Sequence, residues 1–188
     1  VLKPLCAVPG KPGTLSITDK DAAQGRKALV FTDMEGLEAP WAPHVFAHGM
    51  ITGGTTVVEF AFKTGPGATM SFELRDGAPV PGRQVTGLSC GCGNGNFTAG
   101  TKSVCKVPFG AWVRVRLEVT MSGLERGVWT CAVTLPDGET RSARHDTFNK
   151  DDFRRITWFG FMSFGAPQSE FQIDDFKVYK EDERKVRR

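Results

Sequence analysis

The stretch WVRVRLEVTM, residues 112–121, alternates apolar and polar side chains over its whole length. Neighbouring side chains of a β-strand point to opposite faces. Val113, Val115, Leu117, Val119 and Met121 therefore share one face, and Arg114, Arg116, Glu118 and Thr120 share the other. A helix buries a stripe that repeats every three to four residues, so this pattern excludes one. The same period of two recurs at 28–33, 55–62, 69–75, 128–135, 155–164 and 171–179, with shorter candidates at 15–18, 44–48, 85–90 and 103–107. Gly, Pro and Asp turns separate them. That many short strands predict an all-β fold, a two-sheet antiparallel β-sandwich.

Core faces follow strand by strand. Val58, Phe60 and Phe62 face inward in TTVVEFAF, as do Met70, Phe72 and Leu74 in TMSFELR. RITWFGFMSF is apolar on both faces and predicts a central strand covered on both sides, with Gly160 admitting a close neighbour. Trp129 shares its face with Cys131, Val133 and Leu135, which makes it core.

At 188 residues and 40% hydrophobic content, the chain is long and apolar enough for one folded domain. A net charge of +3 and a pI near 8.7 are too mild to indicate nucleic acid. No apolar run is long enough for a membrane helix. Residues 1–13 hold three prolines and two glycines and read as a linker-like lead-in, 14–180 as the domain, and 181–188 (EDERKVRR) as a charged tail. Together they suggest a module from a longer protein, with neighbouring domains as partners.

Five cysteines stand at 6, 90, 92, 105 and 131. The turn GNGN between Cys92 and Cys105 is expected to close a hairpin and bring Cys105 to Cys90 or Cys92 for a disulfide, which implies an oxidising compartment. Zinc is the rival reading, but C-x-C followed by one more cysteine lacks a second ligand pair. Asn96-Phe97-Thr98 is a formal glycosylation sequon.

The order GRKALVFTD, LEAPWAPH, GGTTVVEFAF, FELRDG, VPFGAWVRVRLEV, GVWTCAVTLPDG, ITWFGFMSFG and FQIDDFKVY resembles the concanavalin A-like lectin/glucanase superfamily. Within it, the likeness is to laminin-G-like accessory modules of secreted bacterial carbohydrate-active proteins. It covers about residues 14–180. The resemblance implies a concanavalin-like jelly roll, secretion or a cell-surface or periplasmic location, and binding of a polysaccharide or oligosaccharide. It also implies a structural calcium held by an aspartate near the terminal strands. No E-x-D-x-x-E string of the catalytic glucanases occurs. FELRDG loosely echoes the arginine–glutamate strand of alginate lyases, but there is no Gln-x-His, and the single tyrosine, Tyr179, stands at the domain's end.

The candidate carbohydrate-binding residues are Trp41, His44, Glu73, Arg75, Asp76, Trp112 and Arg114. Prolines 40 and 43 would hold Trp41 at a loop rim, where an indole stacks on sugar rings and His44 bonds a hydroxyl; the plainer reading has both capping the sandwich. If the strands at 69–75 and 112–121 share a sheet, Glu73, Arg75 and Asp76 join Arg114, Arg116 and Glu118 in one charged face. Such a face suits sugar hydroxyls, and equally a solvated ion-pair ladder. Glu73 and Asp76 are three apart on a strand and point opposite ways, so they do not suit a pair of glycosidase carboxylates. Trp112 begins its strand on the polar side and reads as a surface platform.

In FQIDDFKVY, alternation with Phe171, Ile173 and Tyr179 inward puts Asp175 inward too. A calcium ion shared with Asp19, Asp33 or Asp21, or backbone N–H groups alone, would satisfy it. The expected function is a non-catalytic carbohydrate-binding module. The alternatives are a glycan-cleaving hydrolase or lyase of the same fold, and a structural spacer.

Overall fold

A computed structural model of the chain describes residues 6–8, 10–80, 83–121, 127–146, 148–149 and 152–181. The strands in chain order are β1 (Cys6–Val8), β2 (Leu15–Thr18), β3 (Ala28–Thr32), β4 (His44–Ile51), β5 (Gly54–Thr64), β6 (Thr69–Val80) and β7 (Arg83–Gly93). They continue as β8 (Asn96–Ala99), β9 (Lys102–Lys106), β10 (Val113–Met121), β11 (Val128–Thr134), β12 (Thr140–His145), β13 (Ile156–Ser163) and β14 (Glu170–Lys180). Two seven-stranded sheets result, a front sheet in the order β1-β4-β13-β6-β7-β8-β9 and a back sheet in the order β12-β11-β10-β5-β14-β3-β2. Every described pairing is antiparallel.

Alternation places the core. Phe60 and Phe62 of the back sheet meet Phe72, Phe97 and Phe161 of the front sheet, with ring centroids 5.0–5.6 Å apart. Burying each such ring stabilises by about 1.5–3 kcal/mol. β10 buries every second residue, and Trp129, Cys131 and Val133 of β11 are sealed inside. β13 is buried on both faces, as its sequence predicts.

Three strands carry little sequence signal. β1 lies in the Pro- and Gly-rich lead-in and pairs with β4. β12 is a polar edge strand, largely exposed, whose TRSARH has no apolar face. β8 follows the GNGN turn, where Asn94 and Gly95 adopt φ of 50° and 67°, the left-handed pair that closes a two-residue hairpin.

That hairpin overturns the expected disulfide. The arm returning from GNGN is β8, and Cys105 sits one strand further, with Phe97 between it and Cys92 in register. Two strand spacings separate their Cα atoms by about 9–10 Å, beyond the ~7 Å a disulfide spans. Cys90, Cys92, Cys105 and Cys131 are free thiols. The Cys90 thiol faces Cys131 of the back sheet, and that contact, then burial, pushes its pKa up. Burial raises Cys92 to about 11.

β14 also departs from strict alternation. A bulge between Asp174 and Lys177 resets the parity, so Phe171, Ile173, Phe176 and Val178 line the interior side and Tyr179 turns outward. Asp175 sits in the bulge at φ 51° and faces out, not in. Its carboxylate accepts from Arg114 Nη1 at 3.0 Å and pairs with Lys177 at 2.5 Å. Asp174 accepts the backbone N–H groups of Gln24 at 2.8 Å and Asp175 at 2.7 Å. The two aspartates thus tie the last strand to the loop after β2, through protein donors.

Candidate functional site

The outer face of the front sheet is assembled by register. His44, Met162, Ser71 and Gly91 stand in one row across β4, β13, β6 and β7. Phe46, Gly160, Glu73 and Ser89 form the next, and His48, Trp158, Arg75 and Thr86 the third. At Gly160 a Cβ would lie 2.7 Å from both Phe46 Cβ and Val45 O and 2.9 Å from the Trp158 ring, so the position requires glycine. Trp158 stacks with Phe46 at 5.8 Å and is only 5% exposed.

Arg75 covers that indole, its guanidinium carbon 4.4 Å from the ring centroid. It donates from Nε to Glu73 at 2.6 Å and from Nη1 to Gln84 at 3.0 Å, and Nη2 lies 3.3 Å from Met162 Sδ. Thr86 Oγ1 donates to the same Glu73 oxygen at 3.2 Å. The guanidinium is thereby fixed as a half-buried plane with the ring beneath it.

At the far end of β4, Trp41 is 47% exposed in the turn before the strand. His44 stacks on Phe46 at 5.3 Å, and its Nδ1 is buried without a partner. Burial, aided by the charge of Arg75, holds the His44 pKa below its ordinary value, so the imidazole is neutral at pH 7.

The remaining candidates lie elsewhere. β6 and β10 belong to different sheets, so Arg114 and Trp112 are separated from Glu73 and Arg75 by the thickness of the sandwich. Trp112 donates to Asp21 at 3.0 Å with Lys63 over its ring at 5.3 Å, which occupies the proposed platform. Asp76 is fully buried, accepting from Arg154 N and Arg155 Nε at 3.3 Å each, on the side of the strand away from Glu73. Tyr179 accepts from Arg116 on the back sheet at 2.9 Å.

The three aspartates expected to share calcium do not form one cluster. Asp19 is exposed, Asp33 is buried with its Oδ2 taking Ser163 Oγ and, at 2.8 Å, Gly165 N, and Asp175 is held by Arg114 and Lys177. The oxygens of Asp33 and Asp175 already face donors. Among the described residues no three His, Cys, Asp or Glu side chains are placed to share a metal ion.

No protein-family model and no curated protein sequence matches this chain. Solved structures do. An endo-β-1,4-glucuronan lyase from the fungus Trichoderma reesei superposes with a TM-score of 0.71 at 14% identity, over 93% of this chain and 90% of that one. An alginate lyase from Aplysia kurodai gives 0.61 at 10% identity, over 95% and 90%. A seed lectin of Lotus tetragonolobus gives 0.53 at 7%, over 93% and 97%. The fold is a jelly-roll sandwich. The lyase and lectin likenesses carry that statement and none about activity.

Proposed function

We propose that this domain is a non-catalytic carbohydrate-binding module whose binding face is the outer surface of the front sheet around Arg75. One observation carries the reading: a planar guanidinium, immobilised by Glu73, Gln84 and the Trp158 ring, shares its face with a neutral His44, and Trp41 stands exposed in the turn three residues before that histidine. Sugars are bound by such sets, with rigid planar groups for hydroxyls and indoles for the C–H faces of rings. The lectin among the structural neighbours adds support at the level of fold. In a secreted, longer protein the module would hold a partner enzyme on its polysaccharide.

A second reading, a lyase, is favoured by the pairing of Arg75 with a neutral imidazole, since β-elimination needs a cation for a uronate carboxylate and a base for the adjacent proton. Native affinity electrophoresis against neutral and acidic polysaccharides tests both. Retardation that Arg75→Ala removes, with no unsaturated product at 235 nm, supports the binding module. Product formation supports the lyase, and absence of retardation and product on every glycan sinks both.

A further inference from the structure

β7 enters the binding face with unusual bareness. Beyond Ser89, which is Glu73's neighbour in register, its outward positions are Gly91 and Gly93. These glycines lie in a trough of about 310 Å³, whose lining includes Ser71, Ser89, Asn96 and Thr98.

The two glycines have different causes. At Gly91 a Cβ would sit 2.3 Å from Met70 O, so the packing of β6 against β7 demands glycine. At Gly93 the φ angle is not left-handed, and the atoms nearest a Cβ would be those of the Thr69 side chain, at an ordinary 3.4–3.9 Å. Glycine inside a strand costs about 0.5–1 kcal/mol relative to alanine. Neither sterics nor backbone conformation accounts for it at 93, whereas clearance for something lying in the trough does.

The side chains named in the lining are hydroxyls and one amide, groups that both donate and accept, as sugar hydroxyls do. None of the trough's lining residues carries a charge. A carboxylate or sulfate would find hydroxyl and amide donors there but no cation, so its desolvation would be only partly offset.

We infer that the trough between β6, β7 and β8 is a subsite for an uncharged stretch of glycan, continuing from the Arg75 patch through Ser89 so that one chain spans both. This rests on the glycan-binding reading and adds the ligand's length and charge. An additional one or two sugar rings seated there raise affinity through neutral hydrogen bonds, each of modest worth.

The test is calorimetric titration with neutral cello-, xylo- and galacto-oligosaccharides and with oligouronates, from disaccharide to hexasaccharide. Wild type is expected to bind one neutral series about tenfold more tightly as the chain lengthens. The double variant Ser71→Ile/Thr98→Ile replaces hydroxyls with strand-compatible apolar groups that intrude on the trough. It should lose that gain while keeping the affinity for the shortest ligand and the melting temperature. A gain that persists in the double variant, a length effect confined to oligouronates, or no binding to any neutral series overturns the inference. If Arg75→Ala leaves affinity intact while the double variant lowers it, the trough stands and the Arg75 patch falls.

Discussion

The two outer faces of the sandwich use polar residues in opposite ways. On the back sheet, charge is closed upon itself. Arg116 bonds Glu59 at 2.6 Å, Glu118 at 2.7 Å and Tyr179, Arg114 and Lys177 hold Asp175, and Lys63 holds Asp21 beneath Trp112. Every one of those cations has found an anion inside the protein. On the outer face of the front sheet the ion pair is Glu73–Arg75, set over an indole and beside an imidazole nitrogen with no partner, while Asp76 pairs with Arg155 on the inner side of the same strand. A ladder of exposed ion pairs holds strands in register and asks for nothing further. A fixed guanidinium beside one unpartnered imidazole nitrogen and a bare trough leaves polar capacity unfilled, which is what the proposed binding role would use.

The largest effect expected of this contrast is on folding. Gly91→Ala forces a Cβ against Met70 O and should lower stability by about 1–3 kcal/mol, read as a drop in denaturation midpoint with unchanged slope. A midpoint equal to wild type would mean that the front sheet tolerates bulk and that the trough is not shaped by packing. Next comes the pair Arg75→Ala and Arg116→Ala. The first should weaken retention on the bound glycan by about tenfold or more, and the second should leave it unchanged. Equal losses would erase the distinction between the faces.

Smaller still is Arg114→Ala. The arginine side chain is 54% exposed, so the loss should stay below about 1 kcal/mol and shrink further in salt. The last handle is pH. His44 and His145 both have pKa values lowered by burial, then by the charges of Arg75 and Lys102 respectively. Their neutral forms are the folded ones, so stability is full above about pH 6.5 and declines below it, as the unfolded chain takes up protons that the fold refuses. His44→Gln should flatten that decline in a series of melting temperatures measured against pH; an unaltered slope would remove His44 from the account.

Much of this architecture was legible in the sequence, because alternation declares a half-buried strand. It failed where strands have no apolar face or none to spare, as in TRSARH at β12 and the lead-in at β1. It failed again at Asp175, where one bulge reverses the parity of everything after it, an event that no single-strand pattern announces. The site was half visible. Glu73, Arg75 and His44 stand out as polar residues in apolar company, and the structure puts them on one face. Arg114 and Trp112 look identical by that criterion and lie on the other sheet, since strand order is a long-range property. Gln84, Phe46 and the trough residues carry no signal of their own and acquire a role only through register.

The buried thiols have a consequence for following this protein in solution. With Cys92 near 11 and Cys90 held against Cys131, only about one thiol in ten thousand at position 92 is a thiolate at neutral pH, and none of the three is open to reagent in the closed sandwich. Alkylation of these positions is therefore a clock for the parting of the sheets, wound by the native fold and silent until the two halves separate.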